Sequence, residues 1–88
     1  MTEDELRECI EIGHEIDFKY QGKWYGINYE YLGDERVYII FYEGYNEQSI
    51  HRVHTVDELI KINYNGITVM EMLESFPDNA KADILRIF

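Results

Sequence analysis

The run EIDFKYQGKWYGINYEY, residues 15–31, decides the architecture of this chain. Ile16, Phe18 and Tyr20 alternate with Asp17 and Lys19, the period of two that marks a strand with one apolar face. Gln21-Gly22 follows, and its glycine supplies the backbone freedom that a tight turn needs. A second alternating run then places Tyr25, Ile27, Tyr29 and Tyr31 on one face and Trp24, Gly26, Asn28 and Glu30 on the other. Strands joined by so short a turn pair antiparallel, because a parallel crossover needs about a dozen residues or more.

Working outward, Gly33-Asp34 makes the next turn, and Val37 to Tyr42 is a continuous β-branched and aromatic run between Arg36 and Glu43. Such a run reads as a central strand covered on both faces. Gly44-Tyr45-Asn46-Glu47 is a loop, and Ser49 to His54 is expected as a fourth strand, with His51 and Val53 on one face and Ile50 and Arg52 on the other. Upstream, Thr2 and Glu5 have capping-box spacing. Leu6, Cys9, Ile10 and Gly13 then recur at i, i+3, i+4 and i+7, which predicts a helix over 3–12 ending at the glycine.

Downstream, Thr55 with Glu58 and Thr68 with Glu71 repeat the capping pattern. The first opens a short helix through Leu59 and Ile60, and the second a helix that gathers Val69, Met72, Leu73 and Phe76. Asn65-Gly66 between them is a tight-turn dipeptide. Pro77 ends the later helix, and Asp78 or Asn79 is expected to cap a last helical turn or two carrying Ala82, Ile84 and Leu85. The fold expected is two-layer α+β: an antiparallel three- to four-stranded meander, an N-terminal helix and two or three short C-terminal helices, in one domain spanning 1–88.

Charge narrows the function classes. Eighteen acidic residues face eight basic ones, for a formal charge of −10. Residues 1–17 hold Glu3, Asp4, Glu5, Glu8, Glu11, Glu15 and Asp17 against Arg7 alone. A field of this sign repels phosphate backbones and anionic membranes, so no direct binding to nucleic acid or to a membrane is expected. Cys9 is the only cysteine, which excludes an internal disulfide and fits a reducing, cytoplasmic setting. The acidic N-terminus is not a secretory signal, and no apolar run reaches the roughly 18 residues of a membrane span.

Chemistry-bearing patterns are sparse. His51, His54 and Asp57 are spaced by threes, which would align metal ligands on a helix but separates His51 from His54 on a strand. Cys9 falls on the apolar face of the first helix between Glu8 and Glu11, the reverse of the electropositive setting that activates a thiol. The glycines are dispersed, with no phosphate-binding motif and no nucleophile elbow. The chain is therefore read as non-enzymatic, with no catalytic, metal or cofactor residues and no cofactor.

Eight tyrosines are the unusual feature. Strand propensity and cross-strand pairing account for most of them. A small sheet has two faces, however, and a single helix layer leaves some aromatics exposed, where Tyr and Trp are frequent interface anchors. The candidate interaction surface comprises Trp24, Tyr25, Tyr29, Tyr31 and Tyr45, with Glu8 and Glu11 as its acidic component.

HEIDFKYQGKWYGINYEY at 14–31, FYEG at 41–44 and TVDELIKINYNGITVMEML at 55–73 resemble small uncharacterised single-domain proteins of Firmicutes bacteria and their mobile elements. That resemblance implies no activity and carries over no functional residue. Size and charge are also shared with phage inhibitors that imitate nucleic acid to block host defence nucleases. The leading expectation is a protein-interaction module whose partner is a protein, either basic or a second copy of this chain, meeting an exposed sheet face or edge. The alternatives are an acidic nucleic-acid mimic that inhibits a host or defence protein, and a small enzyme or ligand-binding domain, which would need a concave pocket.

Overall fold

The structure is a computed structural model, and it describes residues 1–44, 46–76 and 84–88, the last segment beginning with Ile84 as backbone only. Its elements in chain order are α1 (Glu3–Ile12), β1 (Ile16–Tyr20), β2 (Lys23–Leu32), β3 (Glu35–Glu43), β4 (His51–Val53), α2 (Val56–Ile60), β5 (Asn63–Tyr64), β6 (Ile67–Thr68), α3 (Val69–Glu74) and β7 (Ile84–Ile87). The main sheet is antiparallel and ordered β4-β3-β2-β1-β7.

Local chemistry sets most of these boundaries. In α1 the Thr2 side chain accepts from the Glu5 amide while Glu5 reaches back to the Thr2 amide, and Gly13 closes the helix at φ 97°. The same reciprocal box between Thr68 and Glu71 starts α3. Gln21 and Gly22 both take positive φ, 49° and 80°, the geometry whose twist matches a two-residue hairpin. Asn65 and Gly66 repeat it at 55° and 88° and close a two-stranded hairpin, β5-β6, that was not expected from the sequence.

Two expectations are corrected. The tail 84–87 is a strand, not the end of a helix, and it pairs along β1 with Ile16 opposite Ile87 and Phe18 opposite Leu85. The sheet therefore has five strands, not three or four; the expected caps at Asp78 and Asn79 lie outside the described residues. The fourth strand is shorter than 49–54, because Asn46 caps a 3-10 turn over Glu47–Ser49. Buried Ser49 there accepts from the Glu43 amide at 2.8 Å and donates to the Asn46 carbonyl at 2.6 Å.

One hydrophobic core sits between the helices and one sheet face. Ile16, Phe18, Tyr25, Ile27, Tyr29, Ile39 and Phe41 project from the strands and meet Leu6, Ile10, Leu59, Val69, Met72 and Leu73 from the helices. Phe18 stacks on Tyr25 with ring centroids 5.4 Å apart and meets Phe76 edge-on at 6.1 Å. Arg7 of α1 bonds both Glu3 and Asp57, tying α1 to α2. Arg36 donates to the Ile10 carbonyl at 2.6 Å and lies over the Tyr29 ring, fastening the end of α1 to β3 and β2. No helix among the described residues is long and apolar enough to cross a membrane.

Candidate functional site

Strand register defines the second face of the sheet. Side chains directly opposite each other in antiparallel strands share a face. Arg86, Asp17, Gly26 and Tyr42 therefore form one row across β7, β1, β2 and β3. Asn28, Ile40 and Arg52 form a second row across β2, β3 and β4. Trp24 lies opposite Lys19, and Glu30 opposite Tyr38. Among the described residues no helix packs on this face, and they leave it open.

The expectation that Val37 to Tyr42 is covered on both faces is thereby corrected. Ile39 and Phe41 are buried, whereas Tyr38, Ile40 and Tyr42 on the open face are only half-buried. Their partial burial comes from neighbours on the same face. Tyr38 meets the His54 ring at 4.9 Å between centroids. Arg52 pairs with Glu30 across β3.

Gly26 organises the centre of the face. A Cβ built on it would stand 2.4 Å from Cζ and Oη of Tyr42, far inside the roughly 3.5–4.0 Å of ordinary carbon contact. The Tyr42 ring therefore lies across the glycine, a cross-strand cover of the kind that a glycine in mid-strand permits. Beside it the Arg86 guanidinium sits 5.4 Å from the centroid of Trp24, within cation–π range. Trp24 is 38% exposed. Between Trp24, Arg86, Tyr42 and Asp17 runs a groove of about 680 Å³, continued by Glu43 and Asn46 and open to solvent. One buried carboxylate oxygen of Glu43, without a hydrogen bond among the described residues, lies 3.6 Å from the Lys23 ammonium.

Charge is distributed unevenly over the molecule. The open face carries Lys19, Arg52 and Arg86 against Asp17 and Glu30, while the whole chain carries −10. The acids concentrate on the helix layer, where Glu3, Asp4, Glu8, Glu11, Asp57, Glu58, Glu71 and Glu74 are exposed.

The sequence-derived surface is split by this geometry. Trp24 is on the open face. Tyr25 and Tyr29 are core residues at 6% and 8% exposure, because they share the face that the helices cover. Burial pushes the Tyr29 hydroxyl up to about 12, and that hydroxyl donates to the His14 carbonyl at 2.6 Å. Tyr31 is 58% exposed near the β2-β3 turn, beyond a register shift after Glu30. Tyr45 lies outside the described residues. Glu8 and Glu11 are exposed on α1, on the opposite side of the sheet from Trp24.

The residues missed by sequence reasoning are Tyr38, Ile40, Tyr42, Arg52 and Arg86. A signal for Tyr42 was present, since a glycine in phase with Trp24 in mid-strand marks a close approach. Arg86 carried none, because its segment was read as helical.

Other chemistry-bearing groups stay apart. His51 faces the core side against Phe41 and Tyr64, and His54 lies against Tyr38. Burial, with Glu8 and Glu5 nearby, pushes the Cys9 thiol up, away from the thiolate form that reacts. Among the described residues no three His, Cys, Asp or Glu side chains converge as metal ligands. Compared with protein-family models, curated proteins and solved structures, the chain matches none.

Proposed function

We propose that this protein is an interaction module that binds another protein through the open face of its sheet. One observation carries the reading: among the described residues a helix layer covers one face only, and the other presents Trp24, Tyr42, Ile40 and Tyr38 around a groove. Small-ligand sites enclose about 70–90% of their ligand. A groove open to solvent better suits a side chain delivered on a larger partner, where Trp, Tyr and Arg act as anchors. The near balance of charge on this face lessens there the repulsion that the rest of the chain imposes on an acidic protein surface.

The acidic helix layer supports a second reading, an inhibitor that imitates nucleic acid. Its charges are exposed and lie away from the open face, so substitutions separate the two. Proteins captured from lysate of the cells that make this chain are compared for wild type, Trp24→Ala and the pair Glu8→Lys with Glu11→Lys. The proposal expects a bound protein to be lost with Trp24→Ala and kept with the charge reversals. Equal capture by wild type and Trp24→Ala overturns it, and selective loss with the charge reversals assigns the partner to the acidic α1 side instead.

A further inference from the structure

The two edges of the sheet are not alike. At one end β4 is three residues long, Arg52 in it is tied to Glu30, and Thr55 starts a helix almost at once. Short length and charge are usual ways to blunt an edge against pairing. At the other end β7 reads Ile84-Leu85-Arg86-Ile87, with no proline, glycine or lysine. Its one charged residue, Arg86, leans over Trp24 on the open face.

Hydrogen bonding along β7 shows which groups face outward. The Phe88 amide donates to the Glu15 carbonyl at 2.8 Å, and His14 Nδ1 to the Phe88 carbonyl at 2.5 Å. Amides alternate in direction along a strand, so those of Arg86 and Phe88 point to β1 while those of Leu85 and Ile87 point away from it. Nothing among the described residues pairs with that outer edge.

Beside the edge, on the helix side, lies an apolar ledge. Ile12 and Ile87 are 63% and 47% exposed. A groove of about 250 Å³ between α1 and β7 is lined by Ile12, Ile87 and Cys9, with Glu5 and Glu8 at its rim. Glu5, Glu8, Cys9 and Ile12 form one stripe of α1 at i, i+3, i+4 and i+7.

We propose that β7 takes an extended, lysine- or arginine-bearing segment of another protein as an added antiparallel strand. The outward amides and carbonyls of Leu85 and Ile87 supply the ladder, as in strand-addition recognition. Helix-facing side chains of the incoming strand lay their apolar stems on Ile87 and Ile12 and bring their charged heads to Glu8 and Glu5, in the manner of snorkelling cations. Charge complementarity selects this occupant over a second copy of the chain. Two copies joined edge to edge would set one Glu5–Glu8 stripe beside another, in chains that each carry −10. The surface is separate from the Trp24 groove and does not rest on it.

The test uses the full chain and a capped peptide of alternating lysine and valine, followed by fluorescence anisotropy and amide chemical shifts. Binding is expected, with shifts concentrated at Leu85, Ile87 and Ile12, weaker at high salt. Ile87→Pro removes an outward amide without touching the bonds to β1, and is expected to weaken binding about tenfold or more. Glu8→Lys is expected to weaken it severalfold. A peptide of the same design whose lysine amides are N-methylated is expected not to bind, because the residues opposite Leu85 and Ile87 carry the helix-facing lysines and form the ladder; this checks the ladder with the protein unaltered. The proposal is overturned if the lysine–valine peptide does not bind, if the N-methylated peptide binds equally, or if a glutamate–valine peptide binds as well. The Trp24→Ala capture experiment is read on a different face, so either proposal can fail alone.

Discussion

Replacing Gly26 by alanine perturbs the open face at one atom. Gly26 does not have positive φ, so alanine fits its backbone, and the nearest atoms its new Cβ meets are the outer atoms of the Tyr42 ring, at 2.4 to 2.7 Å. Relief requires that ring to retreat by about 1 Å or more. Overpacking of this kind costs roughly 1–3 kcal/mol, and the low end applies because the colliding atoms end a flexible side chain. Against it, Gly→Ala stabilises by about 0.4–1 kcal/mol through the unfolded chain. Gly26→Ala is therefore expected to shift stability by less than about 1 kcal/mol while displacing Tyr42 and deforming the groove. In a Tyr42→Ala background the collision is gone, and the same substitution is expected to stabilise by about 0.5–1 kcal/mol. The double-mutant cycle then shows a coupling of about 1–2 kcal/mol. Urea unfolding followed by far-ultraviolet circular dichroism measures all four corners, given denaturant slopes of about 1–3 kcal/mol/M. If Gly26→Ala has the same effect in both backgrounds within about 0.3 kcal/mol, Tyr42 does not lie across the glycine and the derivation of the groove is refuted.

Other expectations follow from the core and its titrating groups. Phe18 is fully buried and touches Tyr25, Phe41 and Phe76, so Phe18→Ala is expected to cost about 3–5 kcal/mol in urea unfolding; a loss below about 1 kcal/mol would contradict this core. The Tyr29 hydroxyl, raised from 10.0 to about 12 by burial, favours the protonated folded state. Its contribution is complete below pH 10 and is lost as pH rises toward 12. Tyr29→Phe is expected to flatten that alkaline loss, read as Tm against pH, and an unchanged slope would show that Tyr29 is not its source. Thr68→Ala removes the acceptor for the Glu71 amide, bonded at 3.1 Å, and is expected to cost about 1 kcal/mol. Equal Tm for the two proteins would show that this capping box contributes nothing.

What was legible in the sequence was local. The Thr2–Glu5 box, Gly13 and the Gln21-Gly22 turn act within a few residues, and they placed α1 and the first hairpin within a residue of where they lie. Alternation in β2 separated Trp24, Gly26, Asn28 and Glu30 from Tyr25, Ile27 and Tyr29. Alternation does not say which set the helices cover, because that depends on where Leu6, Ile10 and Leu73 dock. Tyr25 and Tyr29 were therefore counted in the candidate surface although they lie in the core. The strand at 84–87 was illegible for a related reason. Four residues carry too little periodicity to separate strand from helix, and what makes them a strand is β1, remote in sequence, with its free edge. Arg86, the residue of β7 that lines the groove, entered the site only through that long-range pairing.

Paramagnetic relaxation from a soluble gadolinium chelate tests most directly whether one face of this sheet is open. Strong enhancement is expected at the side chains of Trp24, Tyr42, Ile40 and Tyr38, and protection at Phe18, Ile27 and Phe41, which are all fully buried. If Trp24, Ile40 and Tyr42 prove as protected as Phe41, the face is covered and the account of a docking surface there is wrong.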